Sequence, residues 1–108
     1  MLYLTKDTQI LLATKPVDFR KQIDGLIAFC EQTFMQDCRS GKLFVFINQK
    51  RTMVRVLCYE DNGYWLATKR LSKGRYSLWP SDKINSCQKT LASDLMRILK
   101  TFVAGKRK

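Results

Sequence analysis

The feature that most limits the fold is a run of five consecutive apolar residues near the middle of the chain, Leu43–Ile47. Successive side chains of a strand point to opposite sides of its sheet, so a strand that is apolar throughout is typical of a central position. Five residues are far fewer than the roughly twenty that a membrane-spanning helix needs. The run therefore predicts a central strand over 42–48, in a chain whose 108 residues make one domain.

Two helices and four more strands are predicted around it. We expect Asp18 to cap the first helix, whose apolar stripe at helical spacing is Ile23, Leu26, Ile27, Cys30 and Phe34. The second helix is predicted at 90–103, with Gly105 as its C-cap. The other strands are predicted at 9–14, 52–59, 64–71 and 75–79.

Short turns join the later strands: Asn62-Gly63 is a hairpin dipeptide, Gly74 lies in a tight turn, and Pro80 should stop the last strand. The order β-α-β-β-β-β-α predicts an α+β domain over residues 1–105, followed by a basic tail at 106–108. We expect an antiparallel meander of about four to five strands with both helices on one face.

The four cysteines form no Cys-x-x-Cys pair, which argues against a zinc or redox site. Cys30 and Cys58 lie in apolar segments, where free cysteine behaves as a small apolar residue. The N-terminal residues have no basic segment before an apolar stretch, so we expect no signal peptide there. We therefore expect reduced thiols in a cytoplasmic protein.

Positive charge is concentrated in the middle of the chain. The sequence has 20 Lys and Arg residues against 9 Asp and Glu residues, a net charge of +11. Between Cys38 and Ser81 there are nine bases but only two acids, Glu60 and Asp61. Most of the excess therefore falls on the predicted sheet and its turns, and an excess of this size is typical of a protein that binds an anion.

Period-two alternation places several of these cations on one predicted surface: Met53, Arg55, Leu57 and Tyr59, then Tyr64, Leu66, Thr68 and Arg70, then Arg75, Ser77 and Trp79. Such a surface can neutralise phosphates and stack on bases. In the plainer alternative, the cations are merely solvated and the aromatic residues, with Trp65, fill the core. An acidic protein partner would also fit the charge, whereas a membrane fits poorly because neither helix has a continuous basic face.

Catalytic groups are sparse. Histidine is absent, which removes the imidazole base and the commonest zinc ligand. A metal-dependent nuclease would need Asp18, Asp24 and Glu60 to converge. Asp18 is already explained as a cap and Asp24 by an ion pair with Arg20 or Lys21. We predict no catalytic residue, no metal and no cofactor, and keep a small nuclease as a minor alternative.

Two stretches of the chain resemble a known family. Residues 17–26 resemble an Asp-x-Arg-Lys-x-x-Asp-Gly-Leu signature. Residues 40–46 read Ser-Gly-Lys-Leu-Phe-Val-Phe and are followed by Lys-Arg-Leu-Ser-Lys-Gly-Arg-Tyr at 69–76 and by Trp79-Pro80. In this order, over about residues 11–80, they are similar to the TnpB-type accessory proteins of insertion sequence 66 elements, which are bacterial transposons. The chain departs from that pattern at 48–51, where Asn-Gln-Lys-Arg replaces a run of arginines.

The resemblance implies a non-catalytic protein that assists a separate transposase. We expect it to bind DNA electrostatically, at the nucleoid when DNA is bound; the alternative is a protein-interaction subunit of the transposition complex that never contacts DNA. The residues predicted to bind nucleic acid are Arg20, Lys21, Lys50, Arg51, Arg55, Lys69, Arg70, Lys73 and Arg75. Those predicted to be structural are Asp18, Asp24, Gly25, Gly74, Trp79 and Pro80.

Overall fold

The computed structural model describes residues 4–103. Its elements, besides a 3₁₀ turn at Cys38–Ser40, are β1 (Ile10–Ala13), α1 (Ile23–Thr33), β2 (Leu43–Ile47), β3 (Met53–Glu60), β4 (Gly63–Arg70), β5 (Arg75–Tyr76), β6 (Cys87–Thr90), α2 (Ala92–Lys100) and β7 (Phe102–Val103). The α+β class is confirmed. The predicted C-cap at Gly105 and the basic tail at 106–108 lie outside the described residues.

Five strands form one sheet in the order β4-β3-β2-β1-β6. The pairs β2–β3, β3–β4 and β1–β6 are antiparallel, but β1 and β2 are parallel, with Ile10 opposite Leu43. The purely antiparallel meander was therefore wrong. The physical reason is the helical crossover between these two strands, which returns the chain to the end of the sheet from which β1 started.

All five side chains of β2 are buried, as predicted for a central strand. Phe44 and Phe46 point to one side, where they pack in one core with Leu26 of α1. Val45 points to the other side and packs in a second core with Leu95 of α2. The helices thus cover opposite faces of the sheet, and the prediction that both lie on one face was wrong. A strand that is apolar on both sides needs a cover on each side.

Helix α1 begins later than predicted, and Asp18 does not cap it. Gln22 is the N-cap residue and makes no side-chain cap hydrogen bond. The Asp18 carboxylate instead accepts a hydrogen bond from the backbone N–H of Arg20 at 2.9 Å. The Asp18 carbonyl accepts one from Lys21 N–H at 3.1 Å. Residues 18–21 therefore form a turn of their own, and Asp18 stabilises that turn rather than the helix.

The apolar stripe of α1 is confirmed, because Leu26, Cys30 and Phe34 are all buried in the same core. Gly25 lies in a tight space beside this stripe, where an added Cβ would stand 3.2 Å from the Cβ of Lys21. We expected another backbone segment to lie close to Gly25. The close neighbour is instead the aliphatic part of the Lys21 side chain, from the preceding turn.

The β3–β4 hairpin and the turn at Gly74 both form, but Asp61 and Asn62 close the hairpin in place of the predicted Asn62-Gly63 dipeptide. The β3–β4 hairpin has a two-residue connection, because Glu60 pairs with Gly63. Asp61 is its left-handed residue, with a φ of 58°, so the position that needs φ > 0 precedes the predicted Asn62-Gly63 dipeptide. Gly74 has a φ of 78° in the turn before β5, a conformation that glycine adopts without steric cost.

The chain departs from the predicted meander after Gly74. The strand predicted at 75–79 shortens to β5, which pairs with β7 in a separate two-stranded sheet. Tyr76 and Trp79 enter the core on the α2 side, and the Trp79 indole Nε1–H donates to the Ala13 carbonyl at 2.8 Å. Trp79 is therefore not part of an exposed cationic surface, and the strand ends before Pro80 is reached.

Strand β6 was not predicted, and α2 is shorter than the predicted helix. Cys87-Gln88-Lys89-Thr90 has little apolar pattern of its own and is held as a strand by its pairing with β1. Helix α2 ends at Lys100 because the next residues turn to pair with β5. Phe102 is consequently a strand residue and not the last member of a helical stripe.

The four cysteines are free thiols, as expected. Cys30, Cys38 and Cys58 are buried and Cys87 is partly buried. Burial raises the pKa of all four thiols, which keeps them protonated and unreactive at neutral pH.

Two tryptophans test how much the buried indole hydrogen bond stabilises the fold. We expect Trp79→Phe to lower the free energy of unfolding by about 1 to 3 kcal/mol, because the Ala13 carbonyl loses its donor inside the core. Trp65→Phe is the matched control: its indole also donates at 2.8 Å, to Glu60 Oε1, but the side chain is 50% exposed. Its loss should stay below about 0.5 kcal/mol. Urea denaturation followed by circular dichroism measures both, and equal losses would contradict the argument.

Candidate nucleic-acid interface

Several loops meet at one end of the five-stranded sheet. Because β1 and β2 are parallel, the loop after β1 and the turn after β2 leave the sheet at the same end. Strand β3 begins and β4 ends there, since Met53 pairs with Arg70. Strand β6 begins there, since Cys87 pairs with Ala13. We call this surface the basic end and define it as residues 14–25, 48–55 and 68–86.

The basic end carries the charge excess of the described chain. It contains eleven Lys or Arg residues and three Asp residues, whereas the rest of residues 4–103 contains six bases and six acids. All nine residues predicted to bind nucleic acid lie at this end, together with Lys15 and Lys83. Among the described residues, one ion pair forms at the basic end: Arg20 Nη2 lies 2.7 Å from Asp18 Oδ2. The other ten cations have no carboxylate within 4 Å among those residues.

The cations share an end of the sheet rather than one face of it. Arg55 pairs with Thr68, so the predicted common face of β3 and β4 is confirmed. Lys69 pairs with Val54 and therefore lies on the opposite face from Arg55. Arg75 belongs to the separate small sheet and does not extend the β3–β4 surface. The proximity of these side chains comes from the loops and strand ends.

An open groove of about 630 Å³ runs along the basic end between the β1–α1 loop and the β2–β3 turn. Arg20, Lys50 and Arg55 are the cations that line it. The two walls are joined by a hydrogen bond from Val17 N–H to the Ile47 carbonyl at 2.9 Å. The groove therefore has a fixed position at the ends of the two parallel strands.

The Asn48 side chain shapes the turn that carries Lys50. Its Oδ1 accepts hydrogen bonds from the backbone N–H groups of Thr52 at 2.9 Å and Met53 at 3.0 Å. Its Nδ2 donates to the Thr52 hydroxyl at 3.1 Å. Arg51 takes a left-handed φ of 61° within this turn. Asn48 is 8% exposed, so these hydrogen bonds are shielded from water and hold the turn against the start of β3.

Arg55 holds the β1–α1 loop against the sheet. Its Nη1 donates to two carbonyls of that loop, Phe19 at 2.8 Å and Lys21 at 2.9 Å. Its Nε donates to the Thr68 hydroxyl at 3.2 Å, and its guanidinium lies 4.6 Å from the centroid of the Phe19 ring, a cation–π contact. Sequence reasoning missed this positioning role, because nothing in the local pattern around Arg55 points to a loop more than thirty residues away.

The Arg20 side chain is paired with the Asp18 carboxylate. Its Nε donates to both Asp18 oxygens, at 3.1 and 3.0 Å, and its Nη2 donates to Oδ2 at 2.7 Å. The Arg20 side chain is nevertheless 91% exposed. The predicted pairing of Asp24 with Arg20 or Lys21 was wrong, because Arg20 is bound to Asp18 and Asp24 has no ion-pair partner within residues 4–103. Asp24 lies in the first turn of α1, where the helix dipole favours an acid.

The aromatic residues divide between the core and the rim. Trp79 is buried, whereas Trp65 is half-exposed on the outer strand β4. Tyr59 and Tyr64 pack edge to face with ring centroids 4.9 Å apart, and the Arg39 guanidinium lies 5.5 Å from the Tyr59 centroid. This cluster lies at the far ends of β3 and β4 from Met53 and Arg70, so these two tyrosines do not share a surface with the cations of the basic end.

The carboxylates considered for a nuclease are not brought together. Asp18 and Asp24 lie at the basic end, whereas Glu60 ends β3 and accepts a hydrogen bond from Trp65. Seven strand steps of about 3.3 Å separate Glu60 from Met53. Among residues 4–103 no three His, Cys, Asp or Glu side chains form a group that could hold a metal ion. No helix of that range is long and apolar enough to cross a membrane.

The Asp18–Arg20 contact predicts the acid titration of this loop. Hydrogen bonds from the Arg20 side chain and its backbone N–H lower the pKa of Asp18 from 3.8 to about 2. A depressed folded-state pKa means that any stabilisation from the contact is complete above pH 3.8 and is lost as pH falls towards 2. An NMR titration of the Asp18 carboxyl should show a midpoint of about 2, and Arg20→Ala should move it towards 3.8. A midpoint near 3.8 in the unaltered protein would contradict the contact.

Comparison with known proteins places the chain in a family. The sequence profile described as IS66 Orf2 like protein matches residues 8–105. Two proteins of Sinorhizobium fredii (strain NBRC 101917 / NGR234) are similar. The uncharacterized protein y4jC is 31% identical over 80 residues, which cover 74% of this chain and 68% of that protein. The uncharacterized protein y4hO is 30% identical over 81 residues, which cover 75% and 70%.

No solved structure matches this chain. The family profile spans nearly all of the described residues, including both motifs and the whole basic end. The chain therefore belongs to the IS66 Orf2-like family, whose proteins are accessory proteins of insertion-sequence transposition.

Proposed function

We propose that this accessory protein assists transposition by binding DNA at the basic end, beside a separate transposase. The observation that carries the proposal is the segregation of charge: eleven cations and three acids lie at one end, and the rest of residues 4–103 has as many acids as bases. Duplex DNA carries one negative charge per about 1.7 Å of its axis, so it matches a compact group of cations. Each phosphate contact releases condensed counterions, which drives the association.

The dimensions of the basic end suit a duplex. The five strands that begin or end there are spaced about 4.8 Å apart, so the row of loops is about 19 Å wide. The major groove of B-form DNA is about 12 Å wide. A row of this width can contact the phosphates of both strands that border a groove, with Lys69 and Arg70 on opposite faces of β4 at one side of the row.

The groove beside the β1–α1 loop brings two exposed cations, Arg20 and Lys50, to the basic end. Asp18 holds the Nε and Nη2 groups of Arg20, and the Nη1 group makes no hydrogen bond within residues 4–103 and can donate to a phosphate oxygen. Lys50 lies on the opposite wall. The Nη1 and Nε groups of Arg55 donate hydrogen bonds within the protein. Arg55 therefore positions the loop that carries Arg20 and Lys21.

The salt dependence of binding measures the number of phosphate contacts. We expect log affinity for a fluorescent 30-base-pair duplex to fall against log salt with a slope between about −3.5 and −5.5, as for four to six contacts. Fluorescence anisotropy measures this slope. If neither duplex nor single-stranded DNA binds at low salt, the proposal fails, and the cations would instead meet an acidic surface of a partner protein. Co-purification with the transposase that survives nuclease treatment would then support that alternative.

Substitution of two exposed lysines distinguishes a local phosphate contact from an effect of net charge. Lys50→Ala removes a cation from the groove, and we expect it to weaken binding to all sequences about equally and to reduce the magnitude of the salt slope by about 1. Lys6→Ala is the matched control, because Lys6 precedes β1 at the opposite end of the sheet. It changes the net charge by the same amount and should leave the slope unchanged. Equal effects of both changes would mean that binding follows net charge alone.

A further inference from the structure

Ile84 projects into solvent from the loop that precedes β6. It is 91% exposed, more than any other large apolar side chain among residues 4–103. A β-branched side chain of this size is normally buried, because burial removes its apolar surface from water. Nothing in the core or in the sheet requires an isoleucine at this position.

The loop that carries Ile84 is held in one shape. Asp82 Oδ1 accepts hydrogen bonds from the backbone N–H groups of Ile84 at 2.8 Å and Asn85 at 3.1 Å. Asp82 Oδ2 accepts one from Asn85 Nδ2 at 3.0 Å. The Asp82 carboxylate thus organises the tip of the loop around Ile84, as in other turns that begin with aspartate.

The end of the loop is also hydrogen-bonded to Thr14, the residue that follows β1. The hydroxyl of Thr14, which is 2% exposed, donates to the Asn85 carbonyl at 2.6 Å. The Thr14 backbone N–H donates to the Ser86 carbonyl at 3.0 Å. Ile84 is therefore presented by the hydrogen-bonded end of this loop, and its branched side chain has few rotamers to lose on binding.

The position of Ile84 on the molecule points to its partner. The residue belongs to the basic end, next in sequence to Lys83, and its loop is hydrogen-bonded to Thr14, the neighbour of Lys15. Lysines that attract phosphates would bring DNA against this loop. An exposed apolar side chain at such a place would then meet the bases and not bulk water.

We propose that Ile84 is a wedge that inserts between stacked base pairs of the duplex held at the basic end and bends it. The proposal rests on the DNA binding proposed above. Proteins that bend DNA commonly insert Ile, Leu, Phe or Met at one base step, and the loss of stacking is offset by the additional contacts that the bent duplex makes. Here those contacts would come from the other loops of the basic end. The preferred ligand is thus a duplex that unstacks easily.

The test uses the full chain and a 30-base-pair duplex with a donor and an acceptor dye at its ends. Energy transfer should show that the unaltered protein bends the duplex by about 20 to 90°. It should also bind a duplex with a central mismatch about tenfold more tightly than a matched one, because the mismatch is already partly unstacked. Ile84→Ala should lose both the bend and the preference while keeping the salt slope. Ile84→Leu should retain them.

Two further variants separate the wedge from charge and from general apolar exposure. Lys83→Ala should reduce the magnitude of the salt slope by about 1 and keep the bend. Leu91→Ala removes another exposed apolar side chain, 64% exposed, next to the β6 residue that pairs with Ile10 at the opposite end of the sheet. It should change neither the bend nor the slope.

Two results would overturn the wedge and leave DNA binding intact: a duplex bound without bending by the unaltered protein, or full bending by Ile84→Ala. If the unaltered protein binds no DNA, the proposed function fails, and the wedge fails with it. Circular dichroism confirms that each variant is folded, and because Ile84 packs against no core, its replacement should not alter the melting curve.

Discussion

The burial of β2 on both faces is the constraint on which the rest of the molecule depends. Leu43–Ile47 can leave water only if something covers each side of the strand, and the chain has two helices to do so. One helix therefore connects β1 to β2 across one face, and the other packs on the opposite face after β6. The crossover makes β1 and β2 parallel, and that single parallel pair decides which loops become neighbours.

Because both faces of the inner strands are covered, few strand positions leave a charged side chain in contact with water. The long cationic side chains collect where strands end and the chain turns, and the parallel pair directs the turns after β1 and β2 to the same end as those beside β3, β4 and β6. The separation of charge follows from topology as much as from sequence. The opposite end, which receives the remaining loops, has no comparable excess within the described residues.

The parts of the fold that sequence predicted are those whose signal lies within one element. The all-apolar run of β2, the stripe of α1 and the β3–β4 hairpin each needed no distant contact to be recognised. The errors arose where contacts with distant residues determine the local structure. Trp79 is buried where its indole donates to the Ala13 carbonyl, and residues 87–90 form a strand because they pair with β1. The nine cations were identified from charge, and alternation correctly placed Arg55 and Arg70 on one face. It wrongly extended that face to Arg75, because the pairing of β5 with β7 cannot be read from local alternation.

Arg55 is both a cation of the basic end and a residue that holds the fold together. The core depends on apolar residues that never reach the surface, and the exposed lysines of the turns can be exchanged without disturbing it. Arg55 belongs to a strand, yet its guanidinium spans two carbonyls and a phenyl ring of a loop that carries other cations. A lysine there would keep the charge but not the forked geometry. As transposons diverge and meet new hosts, we expect Lys50 and Lys73 to be replaced readily by arginine, whereas Arg55 should change only together with the loop it supports.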